Sequence, residues 1–347
     1  MKNIFKPERI KMALINMKDL LAHAKENKYA VGAFNVTNID LIDHILDAAV
    51  ESNSPVILQL AEVHFRYLNL EDIAPALISA ARNVSIPVCV HLDHGKSLKT
   101  MVRAIRAGFT SIMYDGSEHP LEENARNTRE VVRIAHSVDV SVEGELGNVG
   151  GEAVGVETAI AHSASEDLFT RVEDARYFVN ETGLDTLAIS IGNVHGLYEG
   201  EPRLDFDRLK AIKDTVDIPL VLHGGSGISD DDFRKAAGLG ICKINFYTGI
   251  SQAAVRRVHK FIEEHPGSIS YPDLAKMAMD EVKKVVMDRM AAFGSRGQCA
   301  ADKTLCITCS ETSCGITDPR FKPEAKTVIY QDLVERISSE VLQNIKK

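Results

Sequence analysis

Twelve histidines occur in this 347-residue chain, and only His94, His195 and His223 are followed directly by glycine. Each sits at the end of a short apolar, β-prone run: PVCVHLD (87–93), TLAISIG (186–192) and PLVLHGG (219–225). A lone histidine in such a place is ordinarily a hydrogen-bonded core residue. Three at the same end of one sheet make a candidate metal centre, because three imidazoles with an open fourth position form a catalytic zinc arrangement. The glycines would let backbone and ligand approach closely. Asp93 precedes His94, so a carboxylate is expected beside the metal, able to move a proton to or from a substrate oxygen. Glu145 ends the run VSVEGELG (140–147) and is expected as an alternative metal ligand or as the partner of a ligand imidazole.

A second constellation follows His223. Gly224-Gly225-Ser226-Gly227 can aim backbone N–H groups at an anion, and the next run, ICKINFY (241–247), supplies Asn245 and leads to Thr248. A metal, an adjacent carboxylate and a phosphate cradle predict a phosphorylated hydroxy-carbonyl substrate. The metal would polarise its carbonyl and stabilise an enediolate.

These residues need a scaffold that brings strand ends together. Eight apolar runs recur: 30–36, 55–61, 87–93, 111–117, 140–147, 186–192, 219–225 and 241–247. Continuous apolar character suits strands buried on both faces of a parallel sheet. Between them, segments such as LIDHILDAAVESN and LEDIAPALISAARN carry helical spacing and end in Asn. Eight strand–helix units predict an α/β fold, a (β/α)8 TIM barrel with N- and C-terminal helical extensions, whose active site lies at the strand C-termini. A doubly wound sheet is disfavoured because no G-x-G-x-x-G follows the first strand. Within the longest interval, from residue 140 to residue 186, the stretch NVGGEAVGVETAIAHSASED is expected as an active-site lid.

Composition narrows the class. A net charge of −9 without a basic block argues against nucleic acid, and 45% hydrophobic residues argue against disorder. No signal peptide and no membrane-spanning apolar run are visible, so a cytoplasmic protein is expected. Six cysteines make no disulfide scaffold, and Cys89 and Cys242 lie in apolar runs as buried thiols.

Taken in order, HLDHG (91–95), SIMYDGS (111–117), VEGELGNVGGE (142–152), SIGNVHG (190–196), VLHGGSG (221–227) and KIN-x-x-T (243–248) resemble the class II, zinc-dependent ketose-bisphosphate aldolases, fructose- and tagatose-bisphosphate aldolases among them. AFN (33–35) and RMAAFGSRG (289–297) are similar to that family's outer landmarks. The resemblance divides the chain into an extension (1–16), an aldolase barrel (17–298) and a Cys-containing loop with a C-terminal helix (299–347). It implies one Zn2+ on His94, His195 and His223. It implies Asp93 as the group exchanging the C4 hydroxyl proton, and Asn35, Gly196, Gly224, Ser226, Asn245 and Thr248 around a dihydroxyacetone phosphate moiety. It further implies a monovalent cation (Na+ or K+) near the phosphate and a homodimer or homotetramer. Reversible cleavage of a ketose bisphosphate, or of a related ketose 1-phosphate, to dihydroxyacetone phosphate and an aldehyde is the expected reaction.

Three positions depart from the family pattern. Ala153 stands where the mobile loop usually carries the proton-transferring Glu, so Glu152 is expected to serve, with Glu157 the alternative. Ala61 replaces a common Ser or Thr, and Tyr247 a common Asp. Together they count against fructose 1,6-bisphosphate as the substrate. A catalytically silent sugar-phosphate-binding barrel and a metal-dependent epimerase or isomerase are the rival readings. Finally, Cys299, Cys306, Cys309 and Cys314, spaced C-x6-C-x2-C-x4-C, are a candidate second metal site.

Overall fold

The structure is a computed structural model that describes residues 14–147, 149, 160–161, 168–198, 200–267 and 269–299. Ten strands are described: β1 (Val31–Asn35), β2 (Val56–Ala61), β3 (Val88–Gly95), β4 (Ser111–Tyr114), β5 (Ser141–Leu146), β6 (Ile160–Ala161), β7 (Thr186–Ile189), β8 (Leu197–Tyr198), β9 (Leu220–Leu222) and β10 (Ile241–Asn245). Eight close a parallel barrel in the order β1-β10-β9-β7-β5-β4-β3-β2, which is the (β/α)8 architecture expected from the alternating runs. The remaining two, β6 and β8, pair with each other in parallel.

The helices are α1 (Met17–Asn27), α2 (Ile39–Glu51), α3 (Leu70–Arg82), α4 (Leu98–Arg106), α5 (Leu121–His136), α6 (Val172–Thr182), α7 (Phe206–Lys213), α8 (Asp230–Gly238), α9 (Thr248–Glu264) and α10 (Tyr271–Ala292). Their starts are written in the sequence. Asn16, Asn38, Ser97, Asp205, Ser229 and Ser270 each accept a hydrogen bond from the backbone N–H three residues on, satisfying a donor the helix leaves free. Apolar faces of α2 and α3 pack into a core that continues through the outward side chains of the strands. Helix α1 closes the N-terminal mouth: Met17 is fully buried, and its Sδ accepts from Ser111 Oγ at 3.8 Å and Thr186 Oγ1 at 3.9 Å, both on first residues of strands.

Most expected strands end within a residue or two of their sequence limits. The run 186–192 stops early, at Ile189, for a visible reason. Thr170 captures the next residue: its N–H donates to Ser190 O, and Ser190 N–H donates to its Oγ1, both at 2.8 Å. The chain is thereby turned toward the barrel mouth before Asn193 and His195. Cys89 and Cys242 are buried free thiols, as expected from their apolar runs.

Candidate active site

The barrel interior carries polar residues in pairs two apart along a strand, where alternation puts both on one face. His91 and Asp93 lie on β3, Glu143 and Glu145 on β5, and Lys243 and Asn245 on β10; all six are buried. Asp93 is the hub of the upper layer. Its Oδ2 accepts from Asn35 Nδ2 at 3.1 Å and Gln59 Nε2 at 3.3 Å, and its Oδ1 accepts from Asn245 Nδ2 at 3.0 Å. Burial alone would raise this carboxyl. The positive surroundings, His94 first and Lys243 next, outweigh burial and hold it well below the usual carboxylate range. An ionised carboxylate fixed by three amides can take a proton without moving.

His94 follows on a bulge where the β3–β4 register shifts between Leu92 and Gly95. Its backbone takes φ +46°, a left-handed conformation that a side-chain-bearing residue rarely adopts. The ring Nδ1 donates to Asp115 Oδ2 at 2.9 Å, which turns Nε2 toward the other histidines. His223, just past β9, donates from Nε2 to Glu143 Oε1 at 2.8 Å, and its Nδ1 faces His94 Nε2 at 2.9 Å. His195 lies with its ring centroid 5.0 Å from that of His94 and 5.8 Å from that of His223. Gly224 makes this approach possible: at φ +65°, it leaves a space where a Cβ would stand 2.1 Å from Val194 O and 3.1 Å from His195 N. The Tyr198 hydroxyl locks the same two loops together, donating to Gly224 O at 2.9 Å and accepting from Val194 N–H at 3.0 Å.

Ligand atoms of His94, His195 and His223 all lie within 4.8 Å of one another. The donor set fits a divalent ion. Two ring nitrogens 2.9 Å apart must share a proton or a cation, and His195 Nε2 and Glu145 Oε2 are buried with no hydrogen-bond partner among the described residues. Without an ion, the proton goes to His94: burial disfavours the imidazolium, but Asp93 and then Asp115 outweigh it and raise the ring to about 9. His195 is pressed to about 3 by burial and then by the neighbouring His94. Glu145 stands 3.6 Å from His223 Nδ1, and burial, with Asp115 second, raises its carboxyl to about 8. Glu145 also groups with His94 and Asp115, their ligand atoms again within 4.8 Å.

The phosphate cradle expected from sequence is assembled around α9. Ser226 Oγ accepts from Gly249 N–H at 2.9 Å, and Thr248 opens α9, so the first turn of that helix meets this loop. Gly196 takes φ +89° beside His195. Asn35 and Asn245, expected against substrate, each hold Asp93. Glu152 and Glu157 lie outside the described residues, as does most of the expected lid; Ile160 and Ala161 of that stretch pair with Leu197 and Tyr198, two residues past His195. Cys299 is a free thiol that burial pushes up to about 12, and Cys306, Cys309 and Cys314 lie outside the described residues.

The chain has known relatives. The model of the family "Fructose-bisphosphate aldolase class-II" matches residues 15–298. The chain belongs to that family. It is 39% identical over 292 residues to the fructose-bisphosphate aldolase of Geobacillus stearothermophilus, spanning 83% of this chain and 100% of the relative. Identity is also 39%, over 290 residues, to the probable fructose-bisphosphate aldolase of Bacillus subtilis (strain 168), with the same coverages. Among solved structures, the YdjI aldolase from Escherichia coli K12 superposes with a TM-score of 0.72 at 34% identity, covering 82% of this chain and 99% of that one. A putative fructose-1,6-biphosphate aldolase from Coccidioides immitis gives a TM-score of 0.72 at 30% identity, covering 82% and 98%. This member of the class II aldolases is therefore a carbon–carbon lyase built on a (β/α)8 barrel.

Two polar residues at this site carry no role in the motifs that mark it in the sequence. Gln59 sits inside the apolar run PVILQLA, and Lys243 inside ICKINFY. The signal was there: a polar residue two positions before a strand end faces the same way as that end. No helix among the described residues is long and apolar enough to cross a membrane.

Proposed function

We propose that the chain reversibly cleaves a phosphorylated ketose, a ketose bisphosphate or a related ketose 1-phosphate, to dihydroxyacetone phosphate and an aldehyde. The observation that carries this is the convergence of His94, His195 and His223 beside an Asp93 that three amides orient. His94, His195 and His223 would hold one Zn2+ per subunit, with Glu145 as an alternative ligand or as the partner of a ligand imidazole. When bound, that ion supplies Lewis-acid polarisation of the substrate carbonyl.

The chain's own residues do the rest. Asp93 takes the C4 hydroxyl proton in cleavage and returns it in condensation, its orientation kept by Asn35, Gln59 and Asn245. The loop Gly224–Gly227, Ser226 and Thr248 at the start of α9 bind the phosphate through backbone N–H and hydroxyl groups, together with Gly196. A Na+ or K+ ion beside the phosphate belongs to this reading. Glu152 or Glu157 supplies the proton exchange at C3. The family supports extending the proposal to a cytoplasmic homodimer or homotetramer.

Substrate choice is read by a panel: fructose and tagatose bisphosphates, a ketose 1-phosphate, and 6-deoxy-6-substituted fructose 1-phosphates. With Ala61 and Tyr247 in place, the expected preference is for a member other than fructose 1,6-bisphosphate. Isomerised ketose without carbon–carbon cleavage would replace this proposal with the epimerase or isomerase reading.

A further inference from the structure

Beneath the three histidines lies a charged residue that the proposed chemistry does not use. Lys243 is fully buried on β10, among the largest fully buried side chains of the described residues. Its Nζ donates to both oxygens of Glu143, at 3.0 Å and 2.8 Å, and Glu143 is sealed equally. Stability alone does not call for such a pair, because an apolar pair of similar volume is commonly as stable or more so. Nor is the ammonium placed to meet substrate, since it points at a carboxylate inside the barrel.

The meaning lies in what Glu143 touches. Oε1 accepts the Nε2 hydrogen of His223. An ionised carboxylate only accepts, so Nε2 carries the hydrogen and Nδ1 of the neutral ring keeps its lone pair, aimed at His94 and His195. His91 does not compete for Glu143: its Nε2 stands 3.6 Å from Oε2, beyond hydrogen-bond distance. Among the described residues, Lys243 is the side chain that grips both oxygens of Glu143. Removing it would leave a carboxylate free to turn beneath the metal site.

We propose that Lys243 is a positioning residue for the metal centre: by gripping both oxygens of Glu143 it fixes the carboxylate that presents His223 Nδ1 to a metal. The proposal rests on the reading of His94, His195 and His223 as the metal ligands. Outer-sphere partners of metal-binding histidines commonly contribute about 10–100-fold in metal affinity.

The test uses the full chain and zinc alone, in competition with a chromophoric chelator, together with the visible spectrum of the cobalt-loaded protein. Lys243→Met should weaken zinc binding about 10–100-fold and alter the cobalt spectrum. A merely structural lysine would lower the melting temperature and leave both readouts of the folded protein unchanged. The double variant E143Q/K243M removes both charges, so it leaves no buried unpaired ion and keeps the assay readable if the single variant does not fold. It too should bind zinc at least tenfold more weakly. Either folded variant holding zinc within threefold of wild type, with an unchanged cobalt spectrum, overturns the proposal. Wild-type protein that binds no zinc overturns instead the metal reading on which it rests.

Discussion

Asp93→Asn and Asp93→Ala look like two versions of one experiment, but the structure separates them. The carboxylate accepts three buried amide hydrogens, from Asn35, Gln59 and Asn245. Alanine leaves the Asn35 and Asn245 donors without a partner, while Gln59 Nε2 keeps its bond to Asn35 Oδ1 at 2.8 Å. At about 1–3 kcal/mol for each of the two stranded donors, Asp93→Ala should cost about 2–6 kcal/mol. That is a large part of the roughly 5–15 kcal/mol that holds a typical domain together. Asparagine behaves otherwise. Its oxygen still accepts from Asn35 and Gln59, and its new N–H meets Asn245, whose own Oδ1 is buried without a partner. Turning the Asn245 amide over gives that N–H an acceptor. Asp93→Asn should therefore stay within about 1.5 kcal/mol of wild type, keep its zinc, and lose the proton acceptor. The expected loss in kcat is about 10²–10⁴-fold. Thermal melts, zinc content and ketose phosphate cleavage on both variants read this out. Cleavage by Asp93→Asn within tenfold of wild type refutes the proton-transfer role. Equal melting of the two variants refutes the hydrogen-bond reasoning.

The remaining expectations concern the frame around the metal. Gly224→Ala adds a Cβ where Val194 O stands 2.1 Å away, at φ +65°; it should cost at least about 2 kcal/mol and weaken zinc binding, read by melting and chelator competition. Tyr198→Phe removes the hydroxyl that joins Val194 N–H to Gly224 O; a loss of about 1–3 kcal/mol is expected, and wild-type melting would contradict it. In chelator-treated protein, His94 is raised to about 9, so its contribution is complete below its unfolded value near 6.5 and is lost as pH rises through 9. Glu145, raised to about 8, acts in the same direction over this range, because its charged form is disfavoured in the fold. The melting temperature of the metal-free protein should fall between pH 6.5 and pH 9, and zinc, which needs deprotonated ligands, should remove the fall; a rise without metal would contradict this.

The barrel and its metal-site candidates were legible because strand ends carry side chains with few other reasons to be there. Three His-Gly steps closing apolar runs, and an Asp before the first, are local patterns that survive translation into space. The positioning residues were harder to see. Gln59 and Lys243 sit within apolar runs, and only the pairing of strands around a closed barrel reveals that Gln59 meets Asp93 and Lys243 meets Glu143. That knowledge is long-range: Lys243 and Glu143 are a hundred residues apart in the chain. The early end of the run 186–192 was hidden for the same reason, since Thr170 lies outside the run it terminates. The family resemblance implies Asn35 and Asn245 as substrate contacts. Their grip on Asp93 follows from where those strand ends converge, which spacing alone does not encode.

The most direct test is release of dihydroxyacetone phosphate from a ketose phosphate, followed through a coupled reductase, by one preparation in three states: zinc-loaded, chelator-stripped and zinc-restored. Release that disappears with the chelator and returns with zinc is the predicted result. Equal release in the stripped and loaded states would contradict the account, as would none from any ketose phosphate on the panel by protein with zinc bound.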